Sequence, residues 1–200
     1  MLHLLLATRN AHKTEEFAAI LGDEYALSDL SDAHDVPEVE ETGTTFEENA
    51  RLKALAASAI TSELVISDDS GLEVAALSGA PGVYSARYAG EKATDAENVA
   101  KLLAELERID PPAENRAARF CCAIAIARAG SILDVVIGTV AGRIVDTPRG
   151  DRGFGYDPVF VPAGYEETFA ELGETTKNRI SHRAVAIAEL RERLQRLAAS

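Results

Sequence analysis

The sequence predicts a mixed α/β fold: one elongated mixed β-sheet flanked by helices, arranged as two lobes around a central cleft. Three observations carry this expectation. Residues 2–7 and 64–67 are short continuous apolar runs, the pattern of strands buried on both faces in a parallel arrangement. The first is followed by a turn and a stretch of helical periodicity, half of a βαβ unit. Two long β-rich runs, 120–127 and 132–140, are joined by Arg128-Ala129-Gly130-Ser131 and read as an antiparallel hairpin.

The elements follow in order. After the first strand, Thr8-Arg9-Asn10 is a turn, and a helix over 13–21 carries Phe17, Ile20 and Leu21 inward before Gly22 closes it. Thr42-Gly43-Thr44-Thr45-Phe46-Glu47-Glu48 reads as a turn opening a capped helix. Thr44 or Thr45 is the N-cap, and Glu47 or Glu48 the capping-box partner. That helix extends to about residue 60, with Leu52, Leu55, Ala56 and Ala59 as its apolar face. Asp68-Asp69-Ser70-Gly71 stands at the C-terminal end of the strand over 64–67, and residues 71–92 read as a long ordered loop region. Thr94 opens a helix with Val99, Leu102, Leu103 and Leu106 inward, ended by Asp110-Pro111-Pro112. Residues 150–155 form a glycine-rich loop and 157–162 return to extended chain. Ser181 caps a last helix with Ile187, Leu190, Leu194 and Leu197 inward.

Composition limits what such a chain can do. It has 200 residues, 46% of them hydrophobic and 26% charged, which fits a single domain over 1–200. A chain of this length buries about 70% of its unfolded surface and needs no staples. The net charge of -13 argues against a nucleic-acid-wrapping protein, which carries a broad basic face. It leaves room for a phosphate-bearing ligand held by a few bases, and suits a site that gathers divalent cations. Cys121 and Cys122 are neighbours, and in extended chain they point to opposite faces, so no disulfide framework exists. The apolar start is too short for a signal h-region, and no run approaches the roughly 18 residues of a membrane span. The expectation is a soluble cytoplasmic protein with no membrane partner.

Five clusters could carry chemistry. Thr8-Arg9-Asn10-Ala11-His12-Lys13 lies where a strand meets a helix N-terminus, an anion-favouring place. Read as structure alone, Thr8 or Asn10 caps the helix and Lys13 is solvated. Asp68-Asp69 places two carboxylates side by side, a repulsion that a hard divalent cation relieves; a carboxylate left free of metal can orient or deprotonate water. The structural alternative is an Asp-rich turn. Glu40-Glu41 is a second source of metal oxygens, or a dipole partner for the helix that follows. In Gly153-Phe154-Gly155-Tyr156-Asp157, glycines admit a planar ligand, Phe154 and Tyr156 can stack on it, and Asp157 can accept from a ring N–H. The plain alternative is a tight loop around one buried aromatic. Lys177, His182 and Arg183 form a basic group at the start of the last helix. His3, His12, His34 and His182 lack zinc-ligand spacing.

The order of the motifs is more specific than any one of them. Thr8-x-Asn10-x-x-Lys13, Glu41-Thr42-Gly43-x-Thr45-Phe46-x-Glu48-Asn49-Ala50 with Lys53, Asp68-Asp69-Ser70-Gly71-Leu72, Gly79-Ala80-Pro81-Gly82-Val83-Tyr84-Ser85-Ala86-Arg87, Gly153-Phe154-Gly155-Tyr156-Asp157-Pro158 and Ser181-His182-Arg183 span essentially the whole chain. Together they closely resemble the inosine/xanthosine triphosphate pyrophosphatase family. The resemblance implies Mg²⁺-dependent hydrolysis of ITP, dITP or XTP to the monophosphate and pyrophosphate by a homodimer, clearing these nucleotides before they enter DNA or RNA. It implies that Thr8, Arg9, Asn10, Ala11, His12 and Lys13, with Lys53 and Lys177, hold phosphates. Asp69 would be metal ligand and water-activating base. Glu40 is favoured over Glu41 as the further metal carboxylate. Ser70, Phe154, Gly155, Tyr156, Asp157, His182 and Arg183 would line the nucleoside end. A donor such as His182 or Arg183 would favour a 6-oxo purine and leave adenine's amine unpaired. Competing readings are a pyrophosphatase for modified or pyrimidine nucleotides, a nucleotide-binding regulator without catalysis, and an acidic structural protein. The intact Asp68-Asp69 pair weighs against the last two.

Overall fold

The structure, a computed structural model, describes residues 2–31, 36, 39–109 and 116–199. Its strands form one six-stranded sheet in the order β2-β1-β3-β4-β5-β6. These are β1 (Leu2–Leu6), β2 (Tyr25–Asp29), β3 (Leu64–Val74), β4 (Ala117–Arg128), β5 (Ser131–Ile144) and β6 (Phe160–Pro162). The helices are α1 (Ala11–Leu21), α2 (Phe46–Ser58), α3 (Asp95–Ile109), α4 (Phe169–Leu172), α5 (Glu174–Ile180) and α6 (His182–Ala199). β1 pairs parallel to β2 and β3, with Leu4 opposite Leu27 and Leu64. β5 and β6 run antiparallel, with Ile144 opposite Phe160. The expected α/β class and mixed sheet are borne out.

The chain divides into two compact units, Met1–Asp69, Cys122–Gly138 and Arg183–Ser200 in the first, Ser70–Cys121 and Thr139–His182 in the second. In the first, β1, β3 and β4 supply Leu4, Leu6, Ile66, Ile124 and Ile126 to a core closed by Phe17 and Leu21 of α1 and by Ile187, Leu190 and Leu194 of α6. Each such side chain contributes about 1.5–3 kcal/mol on burial. The inward positions expected for the last helix are therefore correct. In the second unit Leu72, Val74, Phe120 and Ile144 of the sheet pack with Val99, Leu102 and Leu106 of α3 and with Tyr156, Phe160 and Phe169.

Several local expectations are corrected. β3 does not end before the acidic pair: it continues through Asp68 and Asp69 to Val74. The buried face of α2 is Phe46, Asn49, Ala50, Ala54 and Ala57, whereas Leu52 is 36% exposed. Hydrophobicity alone misplaced that face, because the helix turns small residues and an amide inward. The capping box resolves to Thr45 with Glu48. Residues 25–29, to which the sequence reading assigns no element, form β2. The loop expected over 71–92 holds the end of β3 and two 3₁₀ turns, Ala75–Leu77 and Gly82–Arg87. The hairpin between β4 and β5 closes on Ala129 and Gly130, both with positive φ (50° and 72°), as the right-handed twist of the strands favours. The Asp110-Pro111-Pro112 stop and His34 lie outside the described residues. Among the described residues no helix is long and apolar enough to cross a membrane.

Candidate functional site

In the first unit everything turns on Asp68 and Asp69. Successive residues of a strand point to opposite faces, so burial within β3 gives these neighbours different surroundings. Asp68 is 2% exposed; Oδ1 stands 3.0 Å from Lys13 Nζ and Oδ2 accepts from Arg183 Nη2 at 3.2 Å. Burial opposes its ionisation, but Lys13, Arg183 and Lys53 outweigh burial and hold the carboxyl well below the usual carboxylate range. Asp69 Oδ2 accepts from Asn49 Nδ2 at 3.1 Å and Oδ1 from Lys53 Nζ at 3.3 Å. There burial, aided by the charge of Glu41, prevails over Lys53, Lys13 and the Asn49 bond and pushes the carboxyl up. Two adjacent acids thus have protonation equilibria displaced in opposite directions, the separation that assigns different roles to paired carboxylates.

Lys53 links this pair to the acidic turn before α2. Its ammonium donates to Glu41 Oε1 at 2.7 Å as well as to Asp69. Burial disfavours its charge, yet Asp69, Asp68 and Glu41 more than restore it. Of the two acids expected in the turn, Glu41 meets this cluster, whereas Glu40 is exposed.

The strand-to-helix turn before α1 has the N-terminal geometry that the sequence predicts. Asn10 is the N-cap, its side chain accepting from Lys13 N at 3.3 Å, and Thr8 Oγ1 accepts from Asn10 N at 3.2 Å. Ala11 and His12 are exposed in the first turn, and Arg9 donates to the Val36 carbonyl at 2.7 Å. The cap satisfies one N–H and leaves other first-turn N–H groups without an intrahelical partner. Lys13 is not solvated, as its ion pair with Asp68 shows.

Arg183 begins α6 and is 1% exposed. It also pairs with Glu16, and its guanidinium lies 5.8 Å from the centroid of the Phe17 ring. Arg183 thus stands as a buried cation between two carboxylates, Asp68 and Glu16.

The second unit holds the glycine-rich loop. Gly153 has φ +74°, and a Cβ there would stand 2.1 Å from Asp157 Oδ2, so only glycine fits. Asp157 Oδ2 accepts from Phe154 N at 3.0 Å and from Lys177 Nζ at 2.5 Å. Lys177 also sits 4.6 Å from the centroid of the Phe154 ring. Lys177, expected with phosphates, is thereby buried as the counter-ion of Asp157. Tyr156 is buried, its hydroxyl donating to the Ser85 carbonyl at 2.9 Å, and Phe154 is half-buried. Gly155 N donates to Asp95 Oδ2 at 2.7 Å. His182 is buried face to face with Phe120, ring centroids 4.7 Å apart. Ser70 is half-buried within β3.

Asn49, Glu16 and Asp95 were missed as participants. The Asn49 signal lay inside the motif Glu48-Asn49-Ala50, as a polar residue on what proves to be a buried helix face. Glu16 and Asp95 had none, since an acid on a helix surface ordinarily faces solvent. Among the described residues no group of three or more His, Cys, Asp or Glu side chains stands ready to hold a metal ion. The donors that do converge, Asp69 and Glu41, are hard carboxylate oxygens sharing one ammonium. That set fits Mg²⁺, which takes one or two carboxylates and completes its shell with water and substrate phosphate oxygens.

Comparison with known proteins covers nearly the whole chain. The model of the Ham1 family matches residues 4–193. A dITP/XTP pyrophosphatase of Geobacter sulfurreducens is 51% identical over 195 residues, 97% of this chain and 97% of the relative. One of Bacillus licheniformis is 50% identical over 191 residues, 95% of this chain and 96% of the relative. The structure of a Ham1 protein from Coxiella burnetii superposes with a TM-score of 0.87 at 42% identity, covering 98% of this chain and 100% of that one. The Staphylococcus aureus Ham1 protein gives 0.84 at 42% identity, covering 96% and 98%.

Proposed function

The chain belongs to the Ham1 family, and we propose that it is a nucleoside-triphosphate pyrophosphatase that hydrolyses dITP, ITP and XTP to the monophosphate and pyrophosphate. The observation that carries this reading is the geometry of the pair Asp68-Asp69: one carboxylate set between Lys13 and Arg183, its neighbour between Asn49 and Lys53 beside Glu41. The triphosphate is held by the first-turn N–H groups of α1, by Lys13 and by Lys53. These charges offset the substrate's negative charge and steady its reacting phosphorus. Asp69 accepts a proton from water as the water oxygen bonds to the α-phosphorus. The bond from that phosphorus to the bridging oxygen breaks, and pyrophosphate leaves with the electron pair.

Asp69 and Glu41 would hold Mg²⁺, with Glu40 the alternative acid of the same turn. When bound, the ion supplies Lewis-acid stabilisation of charge on the phosphate oxygens. Phe154, the loop backbone and His182 would receive the base. His182 or Arg183 would donate to a 6-oxo group. The protein would act as a homodimer in the cytoplasm, as one domain, without nucleic-acid or membrane partners, and would keep non-standard purines out of DNA and RNA.

The test is pyrophosphate release with Mg²⁺ from ITP, dITP, XTP, ATP, GTP and dTTP, beside Asp69→Asn. Fast release from the first three alone, lost in the variant, is expected. Equal turnover of ATP and GTP would overturn the base preference, and no turnover of any would favour a binding protein without catalysis. His182→Ala should erode the preference over ATP and GTP.

A further inference from the structure

Asn49 lies on the inward face of α2 with 0% exposure, and both ends of its amide are engaged. Oδ1 accepts from the backbone N–H of Gly43 at 2.8 Å, and Nδ2 donates to Asp69 Oδ2 at 3.1 Å. A backbone N–H can only donate, so Gly43 dictates which way the amide faces: oxygen toward Gly43, nitrogen toward Asp69. Gly43 is itself constrained by size. A Cβ at this position would stand 2.6 Å from Asn49 Oδ1 and 2.7 Å from Glu48 Cβ. Glu48 is fixed by the capping box, accepting from Thr44 N at 2.7 Å and Thr45 N at 3.2 Å. The turn that carries Glu41 and the helix that carries Lys53 are thus fastened together at Asn49, one helical turn before Lys53.

We infer that Asn49, oriented by Gly43, is a positioning residue for the Asp69 carboxylate. It ties Oδ2 to α2 and presents Oδ1 beside Lys53, the side on which the substrate's phosphates are handled. A buried carboxylate without that donor would be free to rotate about its terminal torsion, which is broad for Asp. A misplacement of about 1 Å at a reacting group costs on the order of a hundredfold in rate. The inference rests on the reading of Asp69 as the base.

Two substitutions separate positioning from packing. Asn49→Asp keeps the size and the acceptor for Gly43 but replaces the donor to Asp69 by a second carboxylate oxygen, which repels Asp69 Oδ2 instead of tying it to α2. Gly43→Ala keeps the amide but displaces it. With Mg²⁺ and XTP, Asn49→Asp should lower kcat by about 10- to 100-fold while KM stays within about threefold, because Lys13 and Lys53 are untouched. Gly43→Ala should lower kcat in the same direction. It should also weaken Mn²⁺ binding to the substrate-free protein several-fold, read from the ion's paramagnetic signal. A folded Asn49→Asp or Gly43→Ala protein with kcat within about twofold of the parent overturns the inference. So does a variant whose kcat and KM worsen together while Mn²⁺ binding is unchanged, the mark of a packing defect. If Asn49→Asp fails to fold, Gly43→Ala decides. Asp69→Asn run alongside keeps the two ideas apart: turnover retained there overturns the reading of Asp69 as base. An inactive Asp69→Asn beside a fully active Asn49→Asp overturns the role of Asn49 alone.

Discussion

Replacing Arg183 by Met takes the cation from between Asp68 and Glu16 while keeping the apolar stem of the side chain. The Asp68 side chain is 0% exposed and that of Glu16 14%, so Asp68 bears most of the loss. Removing one partner of a buried pair costs about 3–5 kcal/mol, because the remaining charge is neither solvated nor paired. Lys13 still stands 3.0 Å from Asp68, which places the cost toward the lower end. For a chain of this size each kcal/mol lowers Tm by about 2–4 °C, so a cost of about 3 kcal/mol should make Arg183→Met melt roughly 6–12 °C below the parent. The pH dependence follows from the direction of the Asp68 shift. Burial raises that carboxyl, but Lys13, Arg183 and Lys53 bring it below its ordinary value. Its contribution to stability is therefore present above the unfolded carboxyl pKa of about 4 and is lost as pH falls through the folded value. The gap between parent and variant should be full at pH 7 and shrink on acidification below about pH 4. The double variant Asp68→Asn/Arg183→Met should melt above Arg183→Met alone, since it removes the most deeply buried of the stranded charges and leaves only the part-exposed Lys13 and Glu16 without these partners. Thermal unfolding followed by circular dichroism at pH 7, 5 and 3.5 checks all of this. A loss under about 2 °C, or a gap unchanged across that range, would refute the ion-network argument.

Asp69→Asn should lower pyrophosphate release by about 10²- to 10⁴-fold, the usual worth of a positioned general base. The same variant should melt at or above the parent at pH 7. A raised folded pKa means ionised Asp69 costs stability above that pKa, a cost that disappears below about pH 4, so the two melting curves should converge in acid. Lys177→Met should destabilise by about 3–5 kcal/mol by stranding Asp157, and Asp157→Asn in the same chain should restore part of it; thermal melts of the set measure the coupling. Cys121 and Cys122 should resist a thiol reagent in the native protein and react when it is unfolded: burial pushes Cys121 up to about 12 and Cys122 higher still. Timed labelling with and without denaturant reads this directly.

The sequence by itself determined the fold class, most of the elements and the identity of the acidic pair. Those features are written locally: apolar runs for buried strands, a Thr-x-x-Glu cap for α2, a 3.6-residue period in α6, and paired acids next to an apolar run. What only the tertiary structure decided is how each charged side chain is spent. Lys13, Lys177 and Arg183 look alike as solvated or phosphate-holding bases in the sequence. In the fold, each is a buried or part-buried counter-ion to Asp68 or Asp157. Asn49 looked like an ordinary helical position until the inward face of α2 was known, and Leu52, the expected core residue, stands outside it. Asp68 and Asp69 cannot be told apart in the sequence, since both are the same residue in the same run. They differ because a strand turns neighbours to opposite faces. One then meets Lys13 and Arg183, residues 115 positions apart from it at the farther end; the other meets Asn49, Lys53 and Glu41. A pKa is set by desolvation and by charges within a few ångströms, and which charges come that close is a property of the folded chain alone.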